Sequence, residues 1–300
     1  MVNSLGVELK EGTEGFSEPS KAGRLYITWR KLKKSRLALV GGVIVVLSVA
    51  IAVLAPIIAP YDPRQMFYGE EMLPPSRKFW FGTDGGGRDV FSWVVWGARV
   101  SLYVGFAATL IELLIGCGIG MIAGYFGGII DEILMRLTDV INTLPTLMLL
   151  ILAVSMFQTR SIHITTLVMA FLGWPFLARV VRSEFLSLRE STFVEAAKSV
   201  GATNWRIILY HILPNTFSTI IVLATIDIPS YIFWESALTF LGFGDPLSPS
   251  WGILIDRGTS YLKIAWWISA FPGLALFLTS LGFNLFGDGL RDALDVKTSV

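Results

Sequence analysis

Four side chains set inside otherwise apolar runs could do chemistry: Glu112, Asp227, Tyr231 and Glu235. Ionisable groups in a stretch long enough to cross a membrane are expensive, and they mark substrate or ion paths and partner contacts. Asp227, Tyr231 and Glu235 recur at every fourth residue, so they share one helix face. Pro229 lies among them and leaves the carbonyl near Thr225 without its helical donor. Such a stripe, with Glu112, can line a translocation path for a cationic or zwitterionic substrate. It can also form a polar interface with a partner chain.

Other chemistries find little support. The two histidines, His163 and His211, are far apart in sequence, and Cys117 is the one cysteine. A single thiol gives no internal disulfide framework. No zinc-protease, nucleophile-elbow or paired-cysteine pattern occurs, so no catalytic residue, metal or cofactor is assigned. The glycine-rich knot Gly82-Thr-Asp-Gly-Gly-Gly-Arg-Asp89 invites a nucleotide-binding reading. It lacks the lysine and hydroxyl residue of a phosphate loop, and no G-x-x-x-x-G-K-[ST] occurs elsewhere. We read the knot as an external turn. A net charge of +1 offers no field for nucleic acid.

These side chains need a membrane to sit in. The chain has 300 residues, of which 53% are hydrophobic and 16% charged, and its mean hydropathy is +0.63. Soluble domains carry about a quarter charged residues, and crossing a bilayer core takes about 20 apolar residues. The reading is an all-α membrane protein with six spans. A cytoplasmic tail and amphipathic lead-in occupy 1–36, with 1–20 flexible. The first span is 37–58 and an extracytoplasmic segment is 59–101. A core of five spans occupies 102–286, placed near 102–125, 141–157, 165–181, 214–238 and 264–286. A cytoplasmic tail follows at 287–300. The N-terminus is too long and polar before its first apolar run to read as a signal peptide.

Charge sets the orientation. Arg30, Lys31, Lys33, Lys34 and Arg36 crowd the start of the first span and hold the N-terminus in the cytoplasm. With six spans the C-terminus is cytoplasmic too. Sixteen of the 24 Lys and Arg residues then fall inside and eight outside. The same count puts the loop 182–212 in the cytoplasm. Within it, Thr192-x-x-Glu195 reads as a capping box. A short helix follows and ends at Gly201, a residue suited to a helix C-terminus. A second helix restarts near Asn204. The expected shape is a helix–hinge–helix knuckle that either meets a soluble partner or lies in the headgroups.

Glu195-Ala196-Ala197, Gly201 and Ile212-Leu213-Pro214 resemble the EAA loop of ABC importer permeases. Further stretches are similar to the dipeptide/oligopeptide/nickel permease group, and specifically to its C-type subunit. They are Phe81-Gly-Thr-Asp84 with Gly87-Arg-Asp89, Gly97-Ala-Arg-Val-Ser-Leu102, Gly124-Tyr-Phe-Gly-Gly128, Met135-Arg136 with Asp139, Phe240-Leu-Gly-Phe-Gly244, Trp251-Gly252, and Asn284 with Gly287-Asp-Gly-Leu-Arg-Asp292. The resemblance spans about residues 30 to 295.

It implies that Glu195, Ala196, Ala197, Gly201 and Ala202 belong to a coupling helix that docks on an ATPase. Leu213 and Pro214 would pass its motion into the next span. It also implies a B-type permease partner, two cytoplasmic ABC ATPases and an extracytoplasmic binding protein, in a cell membrane. The cargo implied is di- or oligopeptide, with oligosaccharide or nickel as alternatives. An ion-driven secondary transporter would call for inverted repeats, and none is evident. A membrane-embedded hydrolase lacks a nucleophile–base pair.

Overall fold

The computed structural model describes residues 29–294. The tail 1–20, the first part of the lead-in and the end of the tail 287–300 lie outside the described residues. Helix α1 is Arg36–Ile58, opened by Ser35, whose hydroxyl accepts from Ala38 N at 3.3 Å. Helix α2 is Val90–Phe126, α3 Gly128–Thr143 and α4 Thr146–Ser155. Helix α5 is Ile162–Arg189 and α6 is Thr192–Ser199. Helix α7 runs over Asn204–Phe240, α8 over Trp251–Thr259 and α9 over Trp267–Leu294.

Among the described residues five helices are long and apolar enough to cross a membrane: α1, α2, α5, α7 and α9. The pair α3–α4 makes a sixth apolar stretch, bent by 89°. The sequence reading placed one span at 141–157 with Pro145 inside it. The structure corrects this to two helices meeting at a corner. Proline has no N–H and drives the residue before it out of helical backbone. Leu144 accordingly sits at φ −87°, ψ 140°. The charged stretch 131–139 is part of α3.

Helix α2 starts at Val90 rather than Leu102, so residues 90–101, expected in the segment 59–101, are its first turns. Asp89 opens it, accepting from Ser92 N at 2.8 Å and from the Ser92 hydroxyl at 2.6 Å. Helix α5 extends beyond the expected 165–181 at both ends. Helix α9 runs through Gly287 to Leu294, so most of the expected tail is helix. The loop 242–261 contains α8.

Helix α2 is the central rod. Gly116, Gly120 and Gly124, four residues apart, face Leu177, Ala178 with Val181, and Arg182 with Phe185 on α5. Side chains at those glycines would collide with α5, so their absence sets the close approach. Ion pairs join α3 to α5: Arg182 forks onto both oxygens of Asp131, and Arg179 Nη2 meets Asp139 Oδ1 at 2.5 Å. Helix α1 packs against α9, where Gly41 and Gly282 allow contact, and Leu32 with Ala38 buries against Ala293.

The loop 59–89 caps the end at which α2 begins. Its glycine-rich knot is a clamped turn, as the sequence suggested. Buried Asp84 accepts from the N–H of Gly86 and of Arg88, each at 2.8 Å. Its other oxygen meets Arg88 Nη1 at 3.3 Å and Arg257 Nη1 at 3.9 Å. Both guanidinium groups lie over Trp93, at 5.7 and 4.7 Å from its ring centre. Burial lowers the Arg257 pKa from its usual value, and the neighbouring Arg88 adds to the shift. Phe81 stacks on Phe271 with ring centres 3.9 Å apart, and Trp267 Nε1 donates to Thr83 O at 3.2 Å. The cap is thereby locked onto α9.

Candidate functional sites

The knuckle forms at the opposite end, where α5 stops. Helix α6 has alternative faces set by a short amphipathic pattern. Val194 and Ala197 are buried against Tyr125, Val181, Phe185, Ile207 and Ile208. Glu195, Ala196 and Lys198 point outward. Gly201 sits at φ 80°, a left-handed conformation that costs glycine little and turns the chain, and the space where a side chain would start is open. Ala202 N then bonds Ala197 O at 3.1 Å, closing the end of α6.

Two sequence expectations change here and a third holds. The capping box does not form. Ser191 precedes the helix, Thr192 is its first residue, and neither makes a side-chain cap hydrogen bond. The Ser191 hydroxyl instead donates back to Leu188 O at 2.5 Å. The reason is a tight turn from α5 that aims Ser191 backward. Secondly, the proposed docking set divides. Glu195, Ala196 and Gly201 are exposed, Ala197 is buried and Ala202 half-buried. The helix expected to restart near Asn204 does so and runs through Leu213-Pro214 into the span. Asn204–Phe240 is one continuous helix that widens to π-type bonding over Ile207–Ile212. Pro214 has no N–H to give, so the preceding turn loosens. Asn215 Nδ2 donates to His211 O at 2.6 Å and serves a carbonyl there.

The knuckle is tied to the spans by polar contacts as well. The Tyr125 hydroxyl donates to Asn204 Oδ1 at 2.9 Å, and Arg189 Nη1 donates to Tyr125 O at 3.1 Å. These contacts tie the ends of α2, α5 and α7 to one another beside α6. Sequence reasoning missed the exposed apolar side chains that flank the outward face: Val200 at 85%, Tyr210 at 76% and Trp205 at 57% exposure. Their spacing beside buried Ile207, Ile208 and Ile212 carried that signal.

The intramembrane acids form a second site. Glu112 from α2 and Asp227 with Tyr231 from α7 line one cavity of 260 Å³. Its floor is deep: Glu112 is 3% and Tyr231 6% exposed. Its mouth carries Asn142, Thr146 and Ser230, all exposed, beside Phe176 and Trp234. Glu112 Oε2 and Asp227 Oδ2 are buried without a hydrogen-bond partner. Sequence reasoning missed Asn142 and Thr146, which flank the Pro145 corner and reach the cavity because of it.

Glu235 does not join the cavity. It is 1% exposed and accepts from the Thr239 hydroxyl at 2.9 Å and the Ser236 hydroxyl at 3.4 Å, where α8 packs on α7. Each four-residue step advances about 40° around a helix, so Glu235 lies about 80° from Asp227. His163 is at the capped end, where its Nδ1 is 2.7 Å from the Tyr103 hydroxyl; His211 lies on α7 beside the knuckle.

Residues 116–300 match the family model described as the binding-protein-dependent transport system inner membrane component. Residues 24–75 match the N-terminal transmembrane domain of oligopeptide transport permease C. The dipeptide transport system permease protein of Bacillus subtilis is 42% identical over 272 residues, covering 90% of this chain and 84% of that protein. A probable D,D-dipeptide transport system permease protein of Escherichia coli is 40% identical over 267 residues, 89% of each chain. A glutathione transport system permease protein of Pectobacterium atrosepticum is 40% identical over 271 residues, 90% of each. A solved chain of the inward-facing MetNI methionine ABC transporter shares the fold at a TM-score of 0.56 and 17% identity, covering 67% of this chain and 96% of that one.

Proposed function

This chain belongs to the family of binding-protein-dependent transport system inner membrane components, and from that premise we propose that it imports peptides as one of two permease chains. A B-type chain forms the other half of the path. Two ABC ATPases bind the knuckle, and an extracytoplasmic binding protein delivers cargo to the capped end. The knuckle end faces the cytoplasm, a reading supported by the two-to-one excess of Lys and Arg on that side.

The observation that carries this reading is the split of α6 into a buried and an exposed face. Val194 and Ala197 root it in the spans, while Glu195, Ala196 and Gly201 are left for a partner. Coupling of this kind links two global states, and ATP binding by the partners biases them. Peptide is favoured as cargo because relatives at about 40% identity are named for dipeptides and glutathione.

The test is reconstitution in proteoliposomes with the ATPases inside and the binding protein outside. Uptake of a dipeptide should require ATP and the binding protein. ATP-independent uptake by this chain alone would overturn the importer reading. ATP-driven uptake of a sugar or nickel in place of peptide would overturn the cargo.

A further inference from the structure

We propose that the Glu112–Asp227 cavity binds the ammonium group of the transported molecule. This rests on the permease reading and names the chemistry of one station on its path. The first support is charge. Two carboxylates face one cavity, and no Lys, Arg or His lines it. Buried acid groups without a counter-charge are costly in a membrane and mark function by default.

The second support is the pair of vacant acceptors. Glu112 is 97% buried, lines the cavity, and its Oε2 has no hydrogen-bond partner; Asp227 Oδ2 is buried in the same condition. An ammonium carries three donors and can serve several such oxygens at once.

The third support is size and lining. At 260 Å³ the cavity is far roomier than a bare ion needs. Among the described residues, no group of three or more His, Cys, Asp or Glu side chains could hold a metal ion. Trp234 and Phe176 offer aromatic surface, which suits an organic cation.

The fourth support is access. Glu112 and Tyr231 form the floor, while Asn142, Thr146 and Ser230 are exposed at the mouth. Three polar side chains around an opening in the membrane-spanning region fit a hydrated path better than lipid. An ammonium would enter past Ser230, meet the two free oxygens, and leave the rest of the molecule toward the mouth.

The test uses the assembled transporter in detergent, with Cys117→Ser and a single reporter, Ser230→Cys, at the mouth. The probes are aminoethyl methanethiosulfonate, a cation, and sulfonatoethyl methanethiosulfonate, an anion of similar size. Each rate is divided by that reagent's rate with a free thiol in solution. The cation should label Cys at this position about ten-fold faster than the anion. Glu112→Gln with Asp227→Asn should bring the ratio to about one. Should the double variant fail to assemble, each single variant, checked by size exclusion, should lower the ratio by itself.

Millimolar glycylglycine should protect the reporter, and N-acetyl-glycylglycine should not. Equal rates for the two reagents, or a preference that survives the substitutions, would overturn the cation site. Equal protection by the acetylated peptide would overturn its assignment to an ammonium group. ATP-driven uptake by the unsubstituted transporter is measured alongside. Its absence with the labelling preference intact would count against the importer reading and leave the site standing.

Discussion

The Tyr231 hydroxyl lies over Gly173 so closely that a Cβ on Gly173 would overlap it. Gly173 on α5 thus holds the space into which the floor of the acidic cavity is built. Gly173→Ala should push the phenol away and narrow the cavity. Overpacking of this kind costs about 1–3 kcal/mol. Assembly should persist, since α5 contacts α2 through other residues, but peptide uptake should fall about ten-fold. Uptake at the unsubstituted rate, with normal expression, would show that Tyr231 is not needed where it stands.

Ala196 is exposed and its neighbour Ala197 buried, so the same substitution should have different consequences. Ala197→Arg places a charge among Val181, Phe185 and Ile207 and should cost about 3 kcal/mol or more. The chain should then express poorly or melt early. Ala196→Arg should leave the melting temperature within a degree or two and abolish ATPase binding. Thermal unfolding in detergent together with pull-down of the ATPases separates the two cases.

The Arg182–Asp131 fork joins α5 to α3, with the two side chains 32% and 15% exposed. Exposed pairs contribute little, and bidentate, half-buried ones contribute more. A double-mutant cycle with Arg182→Ala and Asp131→Ala should return a coupling energy of about 1 kcal/mol, reduced by high salt. A coupling of zero would mean that α3 is positioned by its apolar face alone.

Asp89 caps α2 outside the membrane span, and burial raises its pKa above the usual 3.8, against the lowering effect of its bonds from Ser92. Its Oδ1 has no partner. A raised folded-state pKa means that the protonated form is favoured on folding. Stability should therefore decline as pH rises through 3.8 and level off once the folded carboxyl has ionised. Asp89→Asn keeps an acceptor for Ser92 N and removes the charge. It should flatten this pH dependence and match or exceed the unsubstituted chain near neutral pH. Asp89→Ala should cost about 1 kcal/mol through the lost cap. Melting curves between pH 4 and 8 check both.

How much of this was legible beforehand depended on the kind of signal. The long apolar helices were readable because length and hydropathy are local properties; α1 was expected at 37–58 and found at Arg36–Ile58. Gly201 was readable as a hinge because few other residues adopt its backbone. The start of α2 was not. Residues 90–101 carry Trp93, Trp96 and Arg99 and pack partly on the loop cap, so they look unlike a span. The capping box failed because its pattern says nothing of the direction from which α5 delivers Ser191. The acidic stripe was half readable. Spacing put Asp227 and Tyr231 on one face, but only the fold brings Glu112 to them and carries Glu235 around to α8.

The central claim is that α6 couples ATPase partners to the spans through its exposed face. The most direct measurement is stoichiometric co-purification of the ATPases with this chain, unsubstituted and as Ala196→Arg, alongside thermal unfolding of both. The account predicts that the ATPases accompany the unsubstituted chain and are lost from a variant that melts at the same temperature. Full retention of the ATPases by a folded Ala196→Arg chain would contradict it.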